Sequence, residues 1–220
     1  MEKVIAYLAN FLLSLPVILL SLSVHELSHG AVAALLGDPT AKSQGRLSLN
    51  PLRHIDPLGL IALLIFRFGW AKPVMVDSRY LKKPKRDMAL IALAGPVSNF
   101  LMAFLFSFVF GLLIKIGVTH GFLSGGTTPF TVLCDMAQMM IYMNIGLGLF
   151  NLIPLPPLDG SKILYSFLPM RVLMRILPYE RYAQIVMLVL LFTRVLSVPL
   201  NAGAGFLYRA FMALPAKVFF

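Results

Sequence analysis

His25, Glu26 and His29 stand in the order His-Glu-Leu-Ser-His, flanked by FLLSLPVILLSLSV on one side and GAVAALLG on the other. On a helix, residues four apart project from one face, so both imidazoles can bind a single ion with Glu26 beside them. The chemistry of that set is zinc-dependent hydrolysis. Zinc lowers the pKa of a water molecule, Glu26 takes the proton, and the water oxygen attacks a carbonyl carbon, which fits amide hydrolysis. On a solvated helix the same residues would be an ordinary polar cluster. Inside an apolar run, ionisable side chains are costly to hold and mark functional sites.

A catalytic zinc takes three protein ligands and keeps one position open, so two histidines need a third group. Asp159 is the favoured one, an anion directly after the apolar, proline-broken Leu152-Ile153-Pro154-Leu155-Pro156-Pro157-Leu158. Its alternative use is as the N-cap of a helix from about Lys162 onward. Asp56 and Asp87 fall in charged segments and read as turn or surface residues. His54, in a turn rich in Pro and Asn, is a candidate for the mouth of the site, whereas His120 belongs to the opposite side. Cys134 is the sole cysteine. It excludes an intrachain disulfide and a thiolate cage, and reads as a small apolar residue. Asn99 is placed to stabilise the oxyanion together with zinc, and its alternative is an interhelical hydrogen bond.

These residues need apolar elements to position them. Of 220 residues, 59% are apolar and 13% charged, a balance that predicts an integral membrane protein. The pattern predicts an all-α polytopic fold in a single domain, 1–220, with core spans over about 4–36, 88–114 and 136–158. Further spans or half-spans are expected over about 182–198 and 202–214. The first span is expected to bend at Pro16 and to be retained, because cleavage as a signal peptide would discard the motif. Between the first two core spans, AKSQGRLSLNPLRHIDPLG reads as a short membrane-associated β element followed by turns. Leu58 to Phe66 is too short to cross and reads as a re-entrant segment ending near Arg67, with Trp70 at headgroup level. Pro96 is expected to break the second core span.

The formal charge of +10 reports topology rather than nucleic-acid binding, because the basic residues flank apolar spans. Ten of the 19 Lys and Arg residues fall from Lys42 to Arg86, and none from Ile116 to Ser161. By the positive-inside rule, residues 37–87 are cytoplasmic and the loop from His120 to Thr128 lies outside. Lys82-Lys83-Pro84-Lys85-Arg86 reads as an anchor on the membrane surface. Rises of 1.5 Å per residue place Glu26 roughly 16 Å above the cytoplasmic end of its span and Asn99 roughly 18 Å above its own. Two polar groups at one depth make sense if they share a cavity.

HELSH, GPVSN and NLIPLPPLDG, in this order on three spans, resemble the site-2 protease family of intramembrane zinc metalloproteases. GRLSLNPLRHIDPLG and GWAKPV are similar to its compact prokaryotic branch, without PDZ or CBS domains. The resemblance covers nearly the whole chain. It implies one zinc ion per chain held by His25, His29 and Asp159, Glu26 as catalytic base, and a supporting role for Asn99. It further implies a transmembrane-protein substrate, a site reached from the cytoplasmic side, and residence in the cell membrane. A catalytically silent zinc-binding membrane protein acting as chaperone or adaptor is the alternative, but it gives Glu26 no purpose. A metal transporter would need a file of ligands, and the chain has four histidines.

Overall fold

The computed structural model describes residues 2–66, 69–123 and 126–220, and the fold is helical. In chain order the α-helices are α1 (Glu2–Leu35), α2 (Thr40–Ser43), α3 (Pro57–Phe66), α4 (Pro84–His120), α5 (Pro129–Asn151), α6 (Asp159–Phe167), α7 (Met170–Ile176), α8 (Glu180–Phe192) and α9 (Ser197–Phe219). Three are long and apolar enough to cross a membrane: residues 11–35 of α1, all of α4 and all of α5. They carry HELSH, GPVSN and the run-in to Asp159 respectively. The two later core spans begin before their expected starts, at Pro84 and Pro129, because each proline opens a helix at a position where no backbone N–H is needed.

The α4 helix shows why these elements assemble in lipid. Ala92, Gly95, Asn99, Ala103, Ser107 and Gly111 recur every three or four residues, and all are buried. Leu90, Leu93, Val97, Leu101, Leu105, Val109 and Leu112 form the opposite stripe and are exposed. Small and polar residues face inward and large apolar ones outward, the reverse of a helix folded in water and the arrangement that lets membrane helices approach closely. Ala103 packs with Ile141 and Ile145 of α5, and Leu207, Phe211 and Met212 of α9 cover that cluster. Both internal prolines, Pro16 and Pro96, lie within unbroken helix assignments. The expected break at Pro96 is therefore corrected. Neighbouring helices bury this part of α4 and tolerate the lost N–H.

The expected β element is corrected as well. Among the described residues there is no strand, and a single antiparallel bridge joins Ile55 to Ala71. Residues 40–56 instead form α2, a turn with Gly45 at φ 65°, and a 3-10 turn at Pro51–Arg53. Pro51, Pro57 and Pro73 supply no N–H for a ladder, and a strand cannot extend past them. The bridge closes a loop whose apolar limb is α3; its expected end near Arg67 lies outside the described residues. Trp70 returns so closely that a Cβ on Gly59 would fall 2.1 Å from the Trp70 carbonyl oxygen.

Residues 71–77 then form a strap along α1, tied at three points. The Lys72 N–H donates to the His54 carbonyl at 2.7 Å, the Val74 N–H to Glu26 Oε2 at 3.0 Å, and the Asp77 N–H to Asp38 Oδ2 at 2.8 Å. Asp38 is fully buried and also accepts the Thr40 N–H. Asp77 itself is held below the usual carboxylate range by the Arg79 guanidinium. Because Asp38→Ala strands two backbone donors, it should lower stability by about 1–3 kcal/mol. It should also expose residues 71–80 to limited proteolysis. Thermal unfolding and digestion in detergent check both, and an unchanged digestion pattern would show that Asp38 does not tie down the strap.

Candidate metal centre

His25 and His29 project from one face of α1, their rings meeting edge to face with centroids 4.6 Å apart. Their Nε2 atoms are 3.1 Å from each other, and Asp159 Oδ2 lies 3.2 Å from His25 Nε2 and 3.1 Å from His29 Nε2. All three residues are buried, at 4%, 8% and 6% exposure. Within the described residues this is the group of His, Cys, Asp or Glu side chains close enough to hold a metal ion.

The protons on the rings can be deduced. Asn99 Nδ2 lies 3.4 Å from the Ser21 carbonyl oxygen, which only accepts, so the other end of that amide, Oδ1, faces His25. Asn99 Oδ1 lies 2.6 Å from His25 Nδ1, and an amide oxygen also only accepts, so Nδ1 carries the hydrogen. The same logic applies to His29, whose Nδ1 donates to the Ile91 carbonyl at 2.7 Å. In the neutral rings both Nε2 lone pairs then point toward a carboxylate oxygen. Three electron-rich atoms converging at such distances, in a buried place, repel unless a cation lies among them.

A tetrahedral zinc with donors at about 2.0–2.1 Å holds them about 3.3–3.4 Å apart. The observed 3.1–3.2 Å triangle is close to that spacing, so the three residues fit a zinc ion. The triangle borders a cavity of about 880 Å³ lined by Glu26, Val74, Met75, Phe150, Asn151 and Lys162 among others. Glu26 is partly exposed there, its Oε2 accepting the strap's Val74 N–H. Lys162, half exposed, approaches the other oxygen of Asp159 at 3.7 Å.

Asn99, expected at a depth close to that of Glu26, meets the adjacent His25, but its amide hydrogens are engaged. Nδ2 donates to Asn144 Oδ1 at 2.8 Å as well as to the Ser21 carbonyl. Asn144 in turn donates to Ser21 Oγ at 2.9 Å and to the Met140 carbonyl at 2.8 Å. Both asparagines are fully buried. Asn99 is absent from the cavity lining, whereas Asn151 is present, with its Nδ2 donating one hydrogen to the Leu147 carbonyl at 3.0 Å. Sequence reasoning missed Asn144 and Val74. An amide within an apolar span was the available signal for Asn144, and a backbone donor such as Val74 has none.

The remaining candidates fall elsewhere. His54 is buried, its Nε2 donating to the Ser48 carbonyl at 2.7 Å, and it lines an apolar cavity beside the metal cavity. His120 is exposed at the end of α4. Asp56 accepts the Gly59 N–H at the start of α3, in keeping with a turn role. Asp87 is corrected from turn or surface residue to a buried one, because it accepts the Lys83 N–H at 2.8 Å and pairs with Arg86 at 2.8 Å to close the start of α4.

Two glycines make the triangle possible. A Cβ on Gly95 would fall 2.5 Å from His25 Cε1 and 2.5 Å from His29 Nε2. On Gly160 it would fall 2.3 Å from the Leu152 carbonyl oxygen, so α6 can present Asp159 only without a side chain there.

Two histidines on a helix of membrane-crossing character and an aspartate at the start of α6, with a glutamate on the open side, form the site of a membrane-embedded metallohydrolase. Comparison with known proteins narrows that class. The description "Peptidase family M50" matches residues 115–197, which include Asp159. A Bacillus subtilis protein named "Putative zinc metalloprotease YwhC" is 41% identical over 201 residues, covering 90% of each chain. A Methanocaldococcus jannaschii protein, "Putative zinc metalloprotease MJ0611", is 31% identical over 156 residues, covering 70% of each chain. "Putative zinc metalloprotease Rip2" of Mycolicibacterium smegmatis is 27% identical over 199 residues, covering 88% of this chain and 71% of its own. No solved structure matches the chain significantly. The chain belongs to the M50 family of peptidases, the site-2 proteases, in their compact form.

Gly95→Ala should abolish stoichiometric zinc in the purified protein while the helical circular-dichroism signal persists. Metal analysis by mass spectrometry checks this, and full zinc content in that variant would show that α4 does not set the spacing. Asn144→Leu releases the Asn99 amide that fixes His25 and should weaken zinc affinity by about 10–100-fold, the scale of losing an outer partner of a ligating histidine. Competition with a chromophoric chelator measures it.

Proposed function

We propose that this chain is an intramembrane zinc metalloprotease that hydrolyses peptide bonds in or near transmembrane segments of other membrane proteins. The observation that carries this reading is the buried triangle of His25, His29 and Asp159, open on one side to a cavity that holds Glu26. His25, His29 and Asp159 hold one zinc ion, which when bound supplies Lewis acidity toward the scissile carbonyl. Glu26 acts as the base. With Oε2 oriented by the Val74 N–H, its other oxygen takes a proton from the attacking water and delivers it to the departing amide nitrogen. Water adds its oxygen to the carbonyl carbon, the C–N bond breaks, and the products are a carboxylate and an amine.

Asn99 is a positioning residue in this reading, because its oxygen fixes the tautomer of His25 and its hydrogens are engaged. Support for the oxyanion falls to the second amide hydrogen of Asn151, which sits on the cavity. The strap offers backbone to an extended substrate, as in strand addition. An intact helix shields its own peptide bonds, so the substrate unwinds to reach the site. The charge distribution supports a site toward the cytoplasmic side of the cell membrane, and the reading takes the bilayer and a transmembrane protein as partners and the whole chain as one domain.

Glu26→Gln should keep one zinc per chain and lower cleavage of single-span substrates by about 10²–10⁴-fold. Metal content and gel-based cleavage in detergent, compared with wild type, check it. Equal turnover in the two proteins would sink this mechanism, and zinc bound without any cleavage by wild type would favour the silent zinc-binding alternative.

A further inference from the structure

Beside the metal cavity lies a second one of about 490 Å³, walled by Ile18, Leu19 and Leu22 of α1, Leu60 of α3, and Met143 and Gly146 of α5. The two adjoin. Leu22, Trp70, Ala71, Leu147 and Phe150 line both. Its walls are apolar, and one of them is bare backbone: a Cβ added to Gly146 would meet nothing within 4 Å. A glycine that packs against nothing, in the middle of a helix and facing a cavity, keeps space open at a cost of about 1 kcal/mol in helix propensity.

We propose that this cavity is a specificity pocket for a large apolar side chain of the substrate, leucine, methionine or phenylalanine, on the membrane-interior side of the scissile bond. The proposal rests on the protease reading above and names a feature of its substrate. The register follows from α1. Leu22 and Ile18 precede His25 by three and seven residues, or about 5 and 10 Å along the helix. Extended substrate advances about 3.3 Å per residue, so the pocket meets the second or third residue from the scissile bond. That residue leaves the metal cavity past Ala71, where the strap begins and the wall common to both cavities lies.

The test is a series of single-span substrates, each carrying Ala, Leu or Phe at the second or third position, cleaved by wild type and by Gly146→Leu. Cleavage sites are read by mass spectrometry. Wild type should cut the Leu and Phe members about tenfold faster than Ala, the scale of discrimination by an apolar pocket. Gly146→Leu adds bulk where a Cβ meets nothing within 4 Å, so it should lose that preference. A flat wild-type series, as an acyl chain lodged in the pocket would produce, overturns the proposal. So does an equal loss by Gly146→Leu on every substrate.

A second measurement does not depend on hydrolysis. In a Glu26→Gln, Cys134→Ala background, Met143→Cys should form a disulfide with a substrate cysteine at the second or third position and not at distant ones. Crosslinks at those positions without cleavage by wild type would keep the pocket and reject the protease reading. Cleavage with crosslinks elsewhere would do the reverse.

Discussion

Three electron-rich donors are made to face one another in a buried place, and much of the core is arranged to make that possible. An imidazole can offer Nε2 to a cation only if Nδ1 holds the proton, and in a buried setting that proton needs an acceptor. His29 finds one in the Ile91 carbonyl and His25 in the Asn99 side chain, both on α4. The α4 helix thus sets the electronic state of two ligands on α1 without contributing a ligand itself. Asp159 arrives from the third element, at the first residue of α6, directly after the proline-broken turn that follows α5.

Asn99 could present either end of its amide to His25, and only one end is useful. The ambiguity is removed by a buried relay through Asn144, Ser21 and the Met140 carbonyl, which ties α1, α4 and α5 together at a single level. Such a network is costly when incomplete and specific when satisfied. Two backbone carbonyls, of Ser21 and Met140, anchor its polarity because they cannot exchange donor for acceptor. Close approach of the helices then follows from the stripe of small residues along α4. Gly95 is its extreme case, set against the ligand rings themselves.

The metal ligands were legible because each leaves a mark in an apolar setting: a paired i, i+4 histidine motif and a lone anion after a proline-rich break. Asn99 was legible in depth but not in role, because depth says nothing of which hydrogens are already taken. Asn144 obeyed the same rule of polar residues in apolar spans and was overlooked beside motifs of greater chemical content. Residues 40–56 read as a β element because alternating Arg46, Leu47, Ser48 and Leu49 has strand periodicity. The surrounding prolines and the positive φ of Gly45 decided the backbone instead. Pro96 misled in the other direction, since the rule that proline ends a helix belongs to water, where no neighbouring helix stands in.

The donors of the triangle are nitrogen and oxygen, and the chain's one sulfhydryl, Cys134, sits buried on α5 outside the group of metal-binding side chains. Thiolate cages give up their metal when oxidised to disulfide or sulfenate. A centre of two imidazoles and a carboxylate has no such vulnerability; it releases its ion to protons or chelators. The donors of this group therefore carry no thiol for peroxide to oxidise, and the thiol poise of the surroundings does not bear on their hold on a metal.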